Sequence, residues 1–313
     1  MGRYLIAGAA GYVGTRLAEH MLARGHSVRA LVRDSESDAA QRLAALGAAI
    51  WQADVTQPES LMGVASGIEH VYNLTSRFVL ENGSVRRLYV EGNRNLIAAC
   101  SRSRSVRSYI FTSSTAPYGD RGDEWLTEDT PVAPNYPLAE TLVAAEQVLL
   151  DAARQHAFPA IILRVGAIYG PGRDPIEAVR SGTATLIGDG RNFLPHIHVE
   201  DLVAALERVA AEGQPGAIYN VVDDEPMRSA AFYGEIRRRL GMVPPRAFPK
   251  EAALFAGMDP SVVGVASSSA RVSNQRLKQE LGVTLRYPSF RTWLDEQLAD
   301  VERALGEPEL AMA

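Results

Sequence analysis

Gly8, Gly11 and Gly14 stand three residues apart directly after the apolar run Tyr4-Leu5-Ile6-Ala7. Spaced in this way, each glycine has a separate task. The first permits a tight turn, the second lets the backbone approach a pyrophosphate, and the third lets a following helix pack against the strand. The residues from Tyr12 onward have helical periodicity, so their first N–H groups and positive dipole end would face the phosphates. Gly8, Gly11, Tyr12, Val13 and Gly14 therefore predict a dinucleotide site. Its second determinant is the run Ala30-Leu31-Val32-Arg33-Asp34. Chains that bind NAD end their second strand in an acid that holds the ribose 2′-hydroxyl. Here Val32 takes that register and Arg33 follows, and a guanidinium matches a 2′-phosphate. The expected cofactor is NADPH/NADP+ rather than NADH, although a slip of one residue to Asp34 would restore the acid. Asp54, after a third strand, is a candidate for the adenine or for a loop cap.

Other reactive residue types are sparse. His196 and His198 alternate and would face one side of a short strand, but no third ligand is evident, so no metal site is expected. Packing or helix capping is the expected role for both. Cys100 is the only cysteine and falls in a helical apolar context, which reads as packing. Arg191 could meet a phosphate. Arg237-Arg238-Arg239 reads as a solvated helix face.

These groups require a scaffold that alternates strands and helices. Strands are expected at 28–32, 50–52, 71–74, 109–112 and 160–163, besides the first. Helices are expected at 12–24, 38–46, 61–65, 85–101 and 136–156. This alternation predicts an α/β protein with a Rossmann-type, doubly wound parallel sheet. After Tyr169 the texture becomes rich in glycine and proline. A helix at 199–211 and a strand at 217–222 look like a return to the sheet. The expected organisation is a dinucleotide-binding lobe at 1–169, with 199–222 returning to it, and a smaller C-terminal substrate lobe from 170–198 and 223–313.

The chain has 313 residues and a formal net charge of −5. That balance gives no support to nucleic-acid or anionic-membrane binding. No apolar run approaches the length of a membrane span, and no basic and apolar leader precedes the first strand. A single cysteine suits a reducing compartment, so a cytoplasmic location is expected. Only two of the 32 basic residues are lysines, Lys250 and Lys278. Any catalytic lysine must be one of them.

The ordered set of motifs resembles the extended short-chain dehydrogenase/reductases over nearly the whole chain. It comprises the glycine segment, Ala53-Asp54-Val55, Val71-Tyr72-Asn73-Leu74-Thr75 and Glu91-Gly92-Asn93. It continues through Phe111-Thr112-Ser113-Ser114 with Tyr118-Gly119, Leu163-Arg164-Val165 with Tyr169-Gly170-Pro171-Gly172, and Val199-Glu200-Asp201. The resemblance implies a cleft between the two lobes. It also implies that Val55, Leu74, Thr75, Asn93, Thr112 and Val165 join the glycine segment around the cofactor. The family's machinery is a Ser or Thr, a Tyr, and a Lys four residues after the Tyr. By motif match these are Ser114, Tyr136 (also a cofactor contact) and Glu140, which stands in the lysine position.

A carboxylate one helical turn from Tyr136 would raise the phenol's pKa, where the family's lysine lowers it. A neutral phenol suits ketone reduction, in which it would give a proton to a forming alkoxide, better than epimerisation or dehydration, which need a phenolate. The run from Gly188 to Asp201 lacks the Arg-Asp-aromatic sequence of nucleotide-sugar members and looks closer to reductases of steroid, flavonoid or polyketide ketones. The resulting expectation is an NADPH-dependent ketoreductase, with Ser114 on the carbonyl oxygen and Tyr136 or water as proton source. Its partner would be a small hydrophobic or polycyclic ketone, in antibiotic-type secondary metabolism. A nucleotide-sugar epimerase or dehydratase and a non-catalytic NADP-binding regulator stay open, as does the choice between monomer and homodimer.

Overall fold

The computed structural model describes residues 1–77 and 84–306. Seven strands form one parallel sheet: β1 (Arg3–Ala7), β2 (Ser27–Val32), β3 (Ala49–Gln52), β4 (His70–Asn73), β5 (Ser108–Ser114), β6 (Ala160–Val165) and β7 (Ile218–Val221). Their spatial order is β7-β6-β5-β4-β1-β2-β3, with every pairing parallel. Helices α1 (Tyr12–Ala23), α2 (Asp38–Ala45), α3 (Gly92–Ser103), α4 (Pro137–His156), α5 (Pro175–Arg180) and α6 (Val199–Glu212) accompany it. The C-terminal part adds α7 (Ser229–Leu240), α8 (Lys250–Phe255), α9 (Pro260–Ser267), α10 (Gln275–Leu281) and α11 (Phe290–Gly306). This is the Rossmann-type α/β fold that the alternating pattern predicts.

The sheet is covered on both faces, which is why its strands read as continuous apolar runs. Tyr4 and Ile6 enter one core with Leu17, Met21, Leu202 and Leu206. Leu5 and Ala7, one residue out of phase, enter the other with Leu96, Leu142 and Leu149. A third cluster, Tyr169, Phe232, Tyr287, Phe290 and Trp293, holds α7 against α11. Strand β7 lies beside β6 at the sheet edge, so residues 218–221 do return to the sheet.

Two local differences from the sequence pattern have physical causes. No α-helix covers 61–65. A short 3₁₀ turn covers Pro58–Leu61, and Gly63 and Gly67 then adopt φ of 77° and 71°, which end any helix. Residues Arg87–Glu91 form a π-helical turn ahead of α3, where Gly92 lies against Val55. Among the described residues no helix is long and apolar enough to cross a membrane.

Candidate functional site

Strands β1 and β4 are neighbours, and the chain leaves them in opposite directions, opening a crevice at their carboxyl ends. The glycine turn occupies that crevice. Gly8 has φ of 82°, and a Cβ there would lie 3.1 Å from the backbone of Leu74 and Thr75. A Cβ on Gly14 would lie 2.1 Å from the Gly8 carbonyl oxygen. The Gly11 N–H donates to that same oxygen at 2.9 Å. Gly11 caps α1 without a side-chain hydrogen bond, and the first turn of α1 carries no acid. The cradle leaves the α1 N–H groups to an anionic ligand and fits a dinucleotide pyrophosphate.

Val32 is buried, whereas Arg33 is exposed at the mouth of the crevice. Arg33 makes no ion pair or hydrogen bond among the described residues. Asp34 is engaged in the turn, its carboxylate accepting the Glu36 N–H at 2.9 Å. One oxygen of Asp54 accepts both the N–H and the hydroxyl of Thr56 at 2.8 Å, so Asp54 caps its own loop. Asn93 is wholly buried in side-chain hydrogen bonds. Its amide oxygen accepts from Asn73 and from the Tyr109 hydroxyl, and its amide nitrogen donates to the Tyr89 carbonyl. These bonds use both lone pairs of its amide oxygen and one of its two amide N–H groups. The Asn73 side-chain oxygen takes the Thr75 N–H and hydroxyl, and its carbonyl takes the Thr112 hydroxyl, which sets the floor of the crevice. Val165 is buried at the end of β6, opposite Ser114.

The Tyr12 ring lies between two guanidinium groups, Arg16 at 4.1 Å and Arg173 at 4.3 Å. The Tyr12 hydroxyl and Arg16 both donate to the Pro171 carbonyl, at 3.0 Å and 2.6 Å. The loop after Tyr169 is thereby tied to the glycine turn. Sequence reasoning missed Arg16 and Arg173, because neither belongs to a motif.

At the reaction end, the Ser114 oxygen accepts the Ala116 N–H at 3.2 Å, so its own proton is available to a ligand. Tyr136 is buried immediately before α4, and burial alone pushes its phenol well above the usual range. Its hydroxyl has no hydrogen-bond partner among the described residues. Glu140 does not supply the expected effect. It is exposed, and it is not among the causes of the Tyr136 shift. The reason is helical geometry. Glu140 sits two residues from both Leu138 and Leu142, about 200° around the helix from either. Leu138 and Leu142 are the buried i, i+4 pair on the inner face. The Tyr-x-x-x-Glu pairing is a correct spacing on the wrong face.

Below Ser114 lies a buried ion pair that the sequence signals only by a charge inside an apolar strand. Arg164 on β6 donates to Glu146 on α4 at 2.7 Å. Glu146 also accepts the Ser113 hydroxyl at 2.6 Å. The Arg164 guanidinium stacks over the Tyr118 ring at 4.6 Å, and the Tyr118 hydroxyl donates to Asn220. This network joins β5, β6, β7 and α4 directly under the site.

The two histidines and the cysteine have structural roles. His196 stacks on Phe232 at 4.3 Å, and His198 caps α6 by accepting the Glu200 N–H. Burial lowers both to about 4, so they are neutral near pH 7. No group of three or more metal-binding side chains occurs among the described residues. Burial raises the Cys100 thiol to about 12, which keeps it inert. Arg191 is exposed, and its N–H donates to Asp189.

The sequence profile of the NAD dependent epimerase/dehydratase family matches residues 4–222. The 3-diazoavenalumate denitrifying reductase of a Streptomyces species is 31% identical over 320 residues, covering 94% of this chain and 100% of that protein. The 4-hydroxy-2-methyl-3-oxo-4-farnesyl-3,4-dihydroquinoline-1-oxide ketoreductase of Stigmatella aurantiaca is 28% identical, over 74% of this chain and 71% of that protein. Among solved structures, dTDP-glucose 4,6-dehydratase of Bacillus anthracis in complex with NAD has a TM-score of 0.79 over 97% of each chain, at 20% identity. That last likeness is one of fold.

Proposed function

Since the chain belongs to the NAD dependent epimerase/dehydratase family and is an NAD(P)-dependent oxidoreductase, we propose that it is an NADPH-dependent reductase of a small aryl diazo compound. The single observation that carries this reading is the inner face of α4. Where the family resemblance calls for a tyrosine–lysine relay, that face presents Leu138 and Leu142. Tyr136 is a neutral phenol without a partner, and Glu140 faces solvent. Neither lysine makes a hydrogen bond to Tyr136 among the described residues. Lys278 pairs with Asp224 at 2.8 Å, and Lys250 begins α8 in the C-terminal part.

Without a lysine beside Tyr136 the site lacks the family's proton relay, and an acceptor that needs no proton suits it best. A bound reduced nicotinamide supplies one hydride. A ketone that receives hydride becomes a strongly basic alkoxide and must take a proton as well. A diazonium carbon that receives hydride forms a C–H bond and releases N₂ as the C–N bond breaks. The charge balances without a proton. The full-length likeness to a denitrifying reductase of a diazo acid supports the same substrate class.

The glycine turn seats the pyrophosphate, and Arg33 takes the 2′-phosphate while Asp34 is held in its own turn. Ser114 orients the acceptor through its available hydroxyl proton. That hydroxyl also favours a second reading, reduction of a polycyclic ketone. There Ser114 would hold the carbonyl oxygen and water would supply the proton, in line with the quinoline ketoreductase likeness.

The test is NADPH oxidation by the purified protein with 3-diazoavenalumate, and separately with a panel of polycyclic ketones, while N₂ is measured. One N₂ per NADPH is expected with the diazo acid. Turnover confined to the ketones would replace the first reading by the second.

A further inference from the structure

Tyr136 has a feature that proton transfer does not explain. Helix α9 of the C-terminal part crosses it so closely that a Cβ on Gly264 would stand 2.3 Å from Cγ and 2.5 Å from Cδ1 of the Tyr136 ring. Gly264 is inside the helix and has no positive φ, so the glycine is required by this approach and not by backbone conformation. The Tyr136 ring is buried in the same core as Leu138 and Leu142, and the residue has the extended backbone of a helix cap, φ −155° and ψ 161°.

The far end of α9 is tied down as well. Asn192 donates to the carbonyls of Ala266 and Ser268 at 3.1 Å and 3.3 Å. The Ser269 hydroxyl donates to the Gly122 carbonyl at 2.6 Å, and the Ser269 N–H donates to Asp120 at 3.3 Å. Asp120 and Gly122 follow the Ser114–Tyr118 segment in the chain. At its start, Asp259 caps α9 by accepting the Ser261 N–H at 2.7 Å, and Val263 packs with Ile187 and Ala253. Helix α9 is therefore held at both ends, and along its middle Gly264 rests on the Tyr136 ring while Val263 packs with Ile187 and Ala253.

We infer that Tyr136 is a positioning residue, a flat seat on which Gly264 sets α9 as a fixed roof beside the hydride-acceptor site. The ring does this work and the hydroxyl does not. The consequence for catalysis rests on the reductase reading above, whereas the seat itself does not. Adding a methyl group at position 264 would push the helix off the ring by about 1 Å to restore ordinary contact. Removing the ring would leave Gly264 facing a void, with α9 held by its end ties and by Val263 on that stretch.

Hydrogen exchange of the α9 amides tests the seat directly, notably Val263 and Ser268, whose N–H groups donate to Asp259 and Gly264. Tyr136→Ala and Gly264→Ala should each speed exchange in α9 by roughly tenfold or more, leaving the interior of α4 protected. Tyr136→Phe should leave α9 protection intact. With NADPH and 3-diazoavenalumate, Tyr136→Ala and Gly264→Ala should raise KM for the diazo acid more than they lower kcat. The Kd for NADP+ should stay unchanged. Tyr136→Phe keeps the ring, so its KM for the diazo acid should rise far less than that of Tyr136→Ala. Unchanged α9 exchange in Tyr136→Ala overturns the seat, and so does a KM rise in Tyr136→Phe as large as that in Tyr136→Ala. The exchange arm needs no turnover. Absence of NADPH oxidation by the unsubstituted protein would sink the reductase reading while exchange still decides the seat.

Discussion

The carbonyl oxygen of Gly8 occupies the space that a side chain on Gly14 would need, 2.1 Å from the absent Cβ. The same oxygen accepts the Gly11 N–H, so the turn and the start of α1 are built around one acceptor. Gly14→Ala must move either the turn or the helix. The expected outcome is a folded protein that has lost NADPH binding by about a hundredfold, on the scale of 1.4 kcal/mol per decade. Titration calorimetry with NADPH checks it, with circular dichroism to establish that the fold is kept.

Arg33 is exposed just past β2 with no carboxylate partner among the described residues, and the proposed NADPH reading assigns it the 2′-phosphate. A charge-assisted contact of this kind contributes about 1.5–3 kcal/mol. Arg33→Ala should weaken NADPH by roughly ten- to a hundredfold and leave NADH nearly unchanged. Equal loss for both cofactors would show that Arg33 does not read the 2′ position.

Glu140 separates two accounts of proton delivery. If it stood beside Tyr136 and the nicotinamide ribose, Glu140→Lys would restore the family's relay and change the pH profile. On the outer face of α4 it can do neither. Glu140→Lys should change kcat by less than about twofold, within the ordinary range of a surface substitution. A new alkaline-shifted limb in the pH–rate profile would place residue 140 back at the site.

The buried pair Arg164–Glu146, 2.7 Å apart with both side chains 4% exposed, makes a prediction about stability. Removing one partner leaves a charge without compensation, at a cost of about 3–5 kcal/mol. Glu146→Ala should therefore lower the urea midpoint severely, while Glu146→Leu combined with Arg164→Met should recover most of it. A double variant no better than the single one would mean that the Ser113 and Tyr118 contacts, not the charge pair, carry the stability.

Much of the fold is legible in the sequence because its signals are local. The apolar runs, the glycine spacing and the helical periodicity each act within a dozen residues. Val32 and Arg33 are legible for the same reason, since the apolar run ends between them, Val32 closing the buried strand and Arg33 lying beyond it. What stayed hidden depends on contacts across the chain. Asn93 reads as a polar residue in a family motif, yet Asn73 and Tyr109 from other strands occupy its amide oxygen. Tyr136 and Glu140 have helical spacing, but spacing cannot say which face of α4 looks inward, and the cap geometry at Tyr136 decides that. Gly264 carries no sequence signal, because its requirement is a ring 128 residues earlier.

His196 gives the protein an acid-sensitive element whose sign can be worked out. It is buried, stacked on Phe232, and its folded pKa is lowered by desolvation from 6.5 to about 4. The unfolded chain takes up the proton first as pH falls through 6.5, while the folded protein does not take it until about 4. Stability from the neutral ring is therefore full above 6.5 and is lost progressively between 6.5 and about 4, by up to roughly 3 kcal/mol. His198 acts in the same direction over the same window. Asp201 and Asp223 act oppositely, because burial raises both and protonation at low pH relieves them. The net curve mixes these groups, so the informative quantity is the difference between the protein and His196→Leu. Urea midpoints measured at about pH 7 and about pH 5 should converge as pH falls, the unsubstituted protein losing the larger share. Parallel curves would mean that His196 is already charged in the fold, or reaches water by a local opening cheaper than global unfolding.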